Sequence, residues 1–228
     1  MDTSIIQDAY AEFWRMPLWV QVAMSLFVLT WLSMMFLPNF DHRRHRRRFD
    51  GFARELRAQP PTGKGWPVSF AVEAGGRAFE IRHDYRSRSG SYRGPAGYLL
   101  ITETKLAGTR WEMHQVDILR IDSVWARHFG GGARQVTGGS GSGVRFGVRE
   151  DGVPVREGWM DDATREAVTR FLETAPPFGV VWIKEGRLSY LVSGNWKGIT
   201  GPVLQATMEG LAELATALER TARGPMRS

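Results

Sequence analysis

Residues 17–37 read PLWVQVAMSLFVLTWLSMMFL, without a single ionisable side chain. At 1.5 Å rise per residue a helix of this length is about 31 Å long, which matches the hydrocarbon core of a bilayer. A buried core helix is the alternative, but a rod apolar on every side needs a larger protein than 228 residues to enclose it. The expectation is a single-pass membrane protein with a transmembrane helix over residues 16–38, Pro17 in its first turn and Pro38 at its exit. A cleaved signal peptide does not fit. The N-tail is acidic (Asp2, Asp8 and Glu12 against Arg15), and bulky Met34, Met35, Phe36 and Leu37 end the apolar run.

Both flanks of this segment carry information. In residues 1–15, Ser4 and Gln7 have capping-box spacing, and Ile6, Tyr10, Phe13 and Trp14 share one helical face, which suits an interfacial helix outside the membrane. Trp14, Trp19 and Trp31 are expected to contact the membrane interface. On the far side, Arg43, Arg44, Arg46, Arg47, Arg48, Arg54 and Arg57 stand against Asp41, Asp50 and Glu55, a local net of +4 in a chain of +6. Charge concentrated beside an apolar segment points to anionic lipids at Arg43, Arg44, Arg46, Arg47 and Arg48, and away from nucleic acid. The positive-inside rule puts the C-terminal domain in the cytoplasm of a bacterial inner membrane, with the N-terminus outside. His42 and His45 lie among these cations, which would repel a metal ion. Within the apolar segment Gln21 and Ser25 are four residues apart and share a face. An amide in lipid is unfavourable without a partner, so this face is expected to meet integral membrane subunits of a larger complex.

Residues 39–61 form a basic juxtamembrane segment in which Phe49, Phe52 and Leu56 recur at helical spacing before Pro60 and Pro61 stop the run. An amphipathic helix at the membrane surface and a plain connector both fit. From Trp66 the period becomes two. Val68, Phe70 and Val72 alternate, Ala74, Gly75 and Gly76 turn the chain, and Phe79, Ile81, His83 and Tyr85 alternate again. Further strands are expected over residues 98–104, 110–115, 116–121 and 144–149, and a late hairpin over 180–192 turning at Glu185 and Gly186. Asp161 or Asp162 caps a helix carrying Val168, Phe171 and Leu172; Pro202 opens a closing helix striped by Leu204, Met208, Leu211, Ala215 and Leu218. Residues 62–228 therefore read as a mainly antiparallel α+β domain with two or three helices. Its expected core includes Phe70, Phe79, Ile81, Phe171, Val181, Ile183, Leu211 and Leu218, sufficient for the piece from Trp66 onward to fold alone. Residues 86–97 and 130–143, rich in Gly, Ser and Arg, read as flexible loops.

Phe146-x-Val148, the Trp159-Met160 pair before a short helix, the 180–192 hairpin and the long closing helix resemble uncharacterised bacterial proteins in which a membrane helix carries a small α+β domain. The resemblance is one of pattern and implies architecture only.

No chemistry-bearing motif stands out. Cysteine is absent, which removes disulfides and thiolate sites. Gly139-x-Gly141-x-Gly143 precedes a strand-like run where a phosphate loop precedes a helix, and no Gly-Lys-Ser/Thr follows. Glu112 and His114 would share a strand face, with His83 and His128 elsewhere, but no ligand spacing links them, so neither a metal nor a cofactor is expected. Arg82, Arg86, Arg88 and Arg93, interleaved with Tyr85 and Tyr92, form a second basic cluster: a solvated hairpin tip, or a contact for a partner or anionic lipid through Arg86, Arg88, Tyr92 and Arg93. Trp111, Trp125, Trp159, Trp182 and Trp196 fit a core or an interface equally. These observations favour a non-enzymatic accessory or assembly subunit of an inner-membrane complex, photosynthetic or respiratory. A membrane-tethered lipid- or signal-sensing domain is the alternative.

Overall fold

The computed structural model describes residues 12–62, 67–86, 97–120, 134–137, 144–155, 159–176, 179–194, 196 and 198–223, without the side chains of 34–41, 86, 134–137 and 222–223. The chain divides into two compact units, Met1–Arg48 and Phe49–Ser228. One helix, α1 (Leu18–Glu55), has residues in both.

α1 corrects the expected transmembrane helix: among the described residues no helix is long and apolar enough to cross a membrane. The helix does not end at Pro38 but continues through the arginine run to Glu55. The orientation inferred from the arginines presupposed that span. The last turns of α1 correct a second expectation. Phe49, Phe52 and Ala53 are buried in the core of the second unit, with Leu56 packed against them, so this stripe is neither a membrane-surface face nor a mere connector.

Among the described residues, the second unit is an α+β fold around one nine-stranded antiparallel sheet. Its strands are β1 (Val68–Ala74), β2 (Arg77–Arg86), β3 (Gly97–Lys105), β4 (Val116–Arg120), β5 (Arg134–Thr137), β6 (Arg145–Glu150), β7 (Val153–Pro154), β8 (Gly179–Lys184) and β9 (Arg187–Ser193). The order is β1-β2-β3-β9-β8-β4-β6-β5, with β7 added to β6. Because side chains alternate across a pleated sheet, register decides which residues share a face. Phe70, Ile81, Thr102, Tyr190, Val181, Ile118 and Val148 stand in register from β1 to β6 and turn to the main core. The alternate positions Leu99, Ile101, Leu191, Val180 and Leu119 form a smaller buried cluster on the opposite face.

Two tight hairpins turn where the sequence puts them, and a third, β6 to β7 at Asp151 and Gly152 (φ 49° and 80°), was not anticipated. Gly75 and Gly76 (φ 56° and 72°) join β1 to β2, and Glu185 and Gly186 (φ 52° and 69°) join β8 to β9. Positive φ at both central residues gives the turn whose twist suits antiparallel strands. α3 (Asp162–Thr174) starts at Asp161, whose carboxylate accepts the Thr164 backbone N–H at 2.6 Å. α4 (Gly201–Arg223) lays Leu204, Met208, Leu211, Ala215 and Leu218 into the main core. All eight residues expected in the core are buried.

Two local expectations are corrected. Residues 110–115 do not form a strand: 109–113 make a short helix, α2 (Thr109–Met113). The apparent alternation there rested on Trp111 and Met113, yet only Trp111 is buried while Met113 is 74% exposed, so one anchor in a helical turn satisfies the segment. Residues 134–137, inside the Gly-rich stretch read as a loop, are strand β5, with Val136 opposite Phe146 of β6. Glycine content on either side concealed an Arg-Gln-Val-Thr run short enough to add one strand to a free edge.

α1 is fastened in the second unit at its C-terminal end. The Glu55 carboxylate accepts the backbone N–H of Gly201, an arrangement that sets a negative charge against the N-terminus of α4. A Cβ on residue 201 would meet the Glu55 side chain at 2.5 Å, so this approach requires glycine. Farther along, Arg77 holds Glu219 of α4 through two bonds of 2.9 and 2.6 Å, and Glu219 also accepts the Ala107 N–H. The hairpin, the β3–α2 connection and the closing helix are thereby joined at one carboxylate.

Candidate functional site

In the first unit, α1 exposes large apolar side chains over its described N-terminal half: Leu18, Trp19, Val22, Met24, Leu26, Phe27, Val28, Leu29, Trp31 and Leu32, with Trp14 ahead of them. Leu18, Trp19 and Phe27 are each more than 70% exposed. Scattered apolar residues are ordinary on any surface, but a contiguous run marks a binding surface. Two polar side chains in this run find acceptors on their own backbone. Gln21 Nε2 donates to the Met16 carbonyl at 2.8 Å, and Thr30 Oγ1 donates to the Leu26 carbonyl at 2.7 Å. Gln21 thus has one acceptor within its own chain. Ser25, on the same face by spacing, is exposed. Beyond the run, Arg43, Arg44 and Arg47 are exposed; Arg46 and Arg48 are half-buried.

The second unit presents a different chemistry, in which charges are committed to one another. Glu103 is buried on β3, with the Arg187 guanidinium at 2.5 Å and that of Arg82 at 3.7 Å, while Glu80 lies 3.7 Å from Arg187. Arg110 stacks between Trp111 and Trp159, 5.1 and 4.9 Å from the two ring centroids. It also reaches Glu150 at 3.3 Å, and Glu150 accepts the Trp159 indole N–H at 2.8 Å. This four-residue clasp joins α2, β6 and the start of α3. Sequence reasoning missed it, although the Arg-Trp pair at 110–111 was the available signal.

The histidine and carboxylate candidates do not come together. His83 is fully buried in an aromatic cluster, its ring 4.4 Å from Trp196, 5.4 Å from Phe49 and 5.8 Å from Tyr98. His114 follows α2 and places Nδ1 2.8 Å from Asp151 at the surface. Hydrogen bonds from His114 and from the Gln115 backbone hold Asp151 below the usual carboxylate range. Glu112 is exposed on α2, away from the strand face expected to carry it. Asp117 is buried on β4: burial pushes its carboxyl up, against the bond from Gln115 and the charge of Arg149. Burial likewise pushes the Tyr190 hydroxyl up; it donates to the Pro176 carbonyl. Among the described residues no group of three His, Cys, Asp or Glu side chains is arranged to hold a metal ion.

Other anticipated residues divide by position. Trp111 and Trp196 are fully buried, Trp159 and Trp182 half-buried, and Trp14, Trp19 and Trp31 exposed. Arg86 ends β2; Arg88, Tyr92, Arg93, Trp125, His128 and the N-tail of residues 1–11 lie outside the described residues. Compared with known protein families, characterised proteins and solved structures, the chain matches none.

Proposed function

We propose that this chain is a non-enzymatic accessory or assembly subunit of a larger membrane-protein complex, attached through the N-terminal half of α1. The observation carrying this reading is the run of exposed apolar side chains from Leu18 to Leu32, belonging to a chain whose other unit buries its own apolar core. Such a run is stabilised only when something apolar covers it. The second unit supports the reading in its own way. Its clustered charged groups are engaged in structural pairs, Glu103 with Arg82 and Arg187, Glu219 with Arg77, and Glu150 with Arg110, and its buried histidine is enclosed by aromatic rings.

The test is purification of tagged full-length protein in mild detergent, followed by mass spectrometry of what accompanies it. The expected result is a defined set of integral membrane subunits, reduced when Trp19 and Phe27 are both replaced by serine. A monodisperse monomer without companions would overturn the reading.

A further inference from the structure

We infer that the first unit is a docking surface for an anionic lipid bilayer, with residues 18–33 embedded among acyl chains and Arg43, Arg44 and Arg47 at headgroup phosphates. The inference rests on the reading above and names a second partner for the same helix.

Three observations select lipid as the occupant. The first is angular. At 100° per residue, Leu18, Leu26, Phe27 and Val28 alone point in four directions about 80–100° apart, and all four are exposed. A protein groove covers one stripe of a helix and leaves the opposite face polar, whereas an apolar solvent surrounds it. The second is polar bookkeeping. Hydrogen bonds from Gln21 to the Met16 carbonyl and from Thr30 to the Leu26 carbonyl leave these side chains already partnered, as an apolar medium demands. The third is charge. Residues 18–33 contain no acid or base; exposed Arg43, Arg44 and Arg47 follow at one end, against Arg15 beside Glu12 at the other. Guanidinium groups bind phosphate through paired N–H donors, which fits an anionic headgroup layer adjoining an acyl layer.

Flotation of the full-length chain with vesicles tests this, using phosphatidylcholine alone and phosphatidylcholine mixed with phosphatidylserine. Binding should be stronger to the anionic vesicles and should weaken with added salt. Replacing Arg43, Arg44 and Arg47 with serine should reduce the anionic partition coefficient on the order of 100-fold, about five-fold per arginine, while leaving neutral vesicles unaffected. Replacing Phe27 and Leu29 with serine should weaken binding to both. Equal binding to the two compositions, or an arginine variant indistinguishable from the parent, would overturn the headgroup contact. Absence of flotation would overturn the docking surface altogether. Loss of flotation with retained companion subunits would leave the accessory reading standing, and flotation without companions would do the reverse.

Discussion

Phe27 and Phe49 belong to the same helix, yet the first is 73% exposed and the second is fully buried among Phe70, His83 and the rest of the core. Identical residues in identical backbone conformation therefore contribute in opposite ways. Phe49 lowers the free energy of folding, whereas Phe27 costs free energy in water that only a partner can recover. Helix propensity and apolar composition cannot distinguish the two; what surrounds the helix does. The sheet unit has made its apolar surface internal, and the first unit keeps its own outside.

The largest effect should come from moving the boundary between them. A fragment beginning at Trp66 lacks Phe49, Phe52 and the Glu55 contact to α4, and two buried phenylalanines alone represent about 3–6 kcal/mol of a total stability near 5–15 kcal/mol. That fragment should lack a cooperative unfolding transition, while one beginning at residue 42 should show it. Cooperative unfolding of both would mean that the end of α1 is dispensable. Next in size, Phe49→Ala should destabilise the full chain by about 3–5 kcal/mol in chemical denaturation, because it opens a cavity beside His83 and Phe70. Phe27→Ala should leave the same transition within about 0.5 kcal/mol. Equal effects would erase the distinction between the units.

A middle-sized effect is expected at Glu219. Its carboxylate takes two bonds from Arg77 and one from Ala107, and removing it leaves a partly buried guanidinium without its anion. Glu219→Ala should cost about 2–3 kcal/mol, read as a shift of the denaturation midpoint with unchanged slope. Glu213→Ala, on the same helix, should cost less than about 1 kcal/mol, since its pair with Arg170 is solvent-exposed on both sides.

Period-two alternation located β1 and β2, and turn chemistry located the β1–β2 and β8–β9 hairpins, because those signals are local and agree with the tertiary arrangement. Three features were hidden for physical reasons. The helical spacing of Phe49, Phe52 and Leu56 reveals an apolar stripe but not what meets it. Trp111 and Met113 imitate a strand because alternation over so few residues cannot exclude a helical turn. Hydropathy counts an apolar run without regard to the helix that contains it, and the expected span gave way to a helix continuing into a folded core. At the surface, the lipid-contact candidates Trp14, Trp19, Trp31, Arg43, Arg44 and Arg47 are exposed, whereas the amide of Gln21 turned inward to its own chain. Local backbone acceptance of that kind depends on side-chain geometry that spacing does not encode.

The smallest expected effect separates two carboxylates of the sheet unit by pH. Asp117 is buried, and burial holds its pKa above the unfolded value, so folding favours its protonated form. The sign follows from linkage: this group's contribution is fully present below the unfolded pKa and is lost as pH rises through the folded pKa. Asp117→Asn keeps an acceptor for the Gln115 amide, which lies 3.3 Å from Oδ1, and removes the titration. The variant should therefore gain stability relative to the parent at neutral pH, and the gain should shrink as pH falls toward the carboxylate range. Asp151 has the opposite sign. Its bonds with His114 and the Gln115 backbone lower its pKa, so its contribution is present above the unfolded pKa and fades as pH falls. Asp151→Asn should accordingly lose stability at neutral pH and approach the parent in acid. Urea midpoints measured for the two variants between pH 3 and pH 7 should diverge from the parent in opposite directions. Parallel curves would show that burial and hydrogen bonding do not set the two groups apart, whereas opposed curves would place Asp117 among the few side chains here that folding disfavours in their charged form.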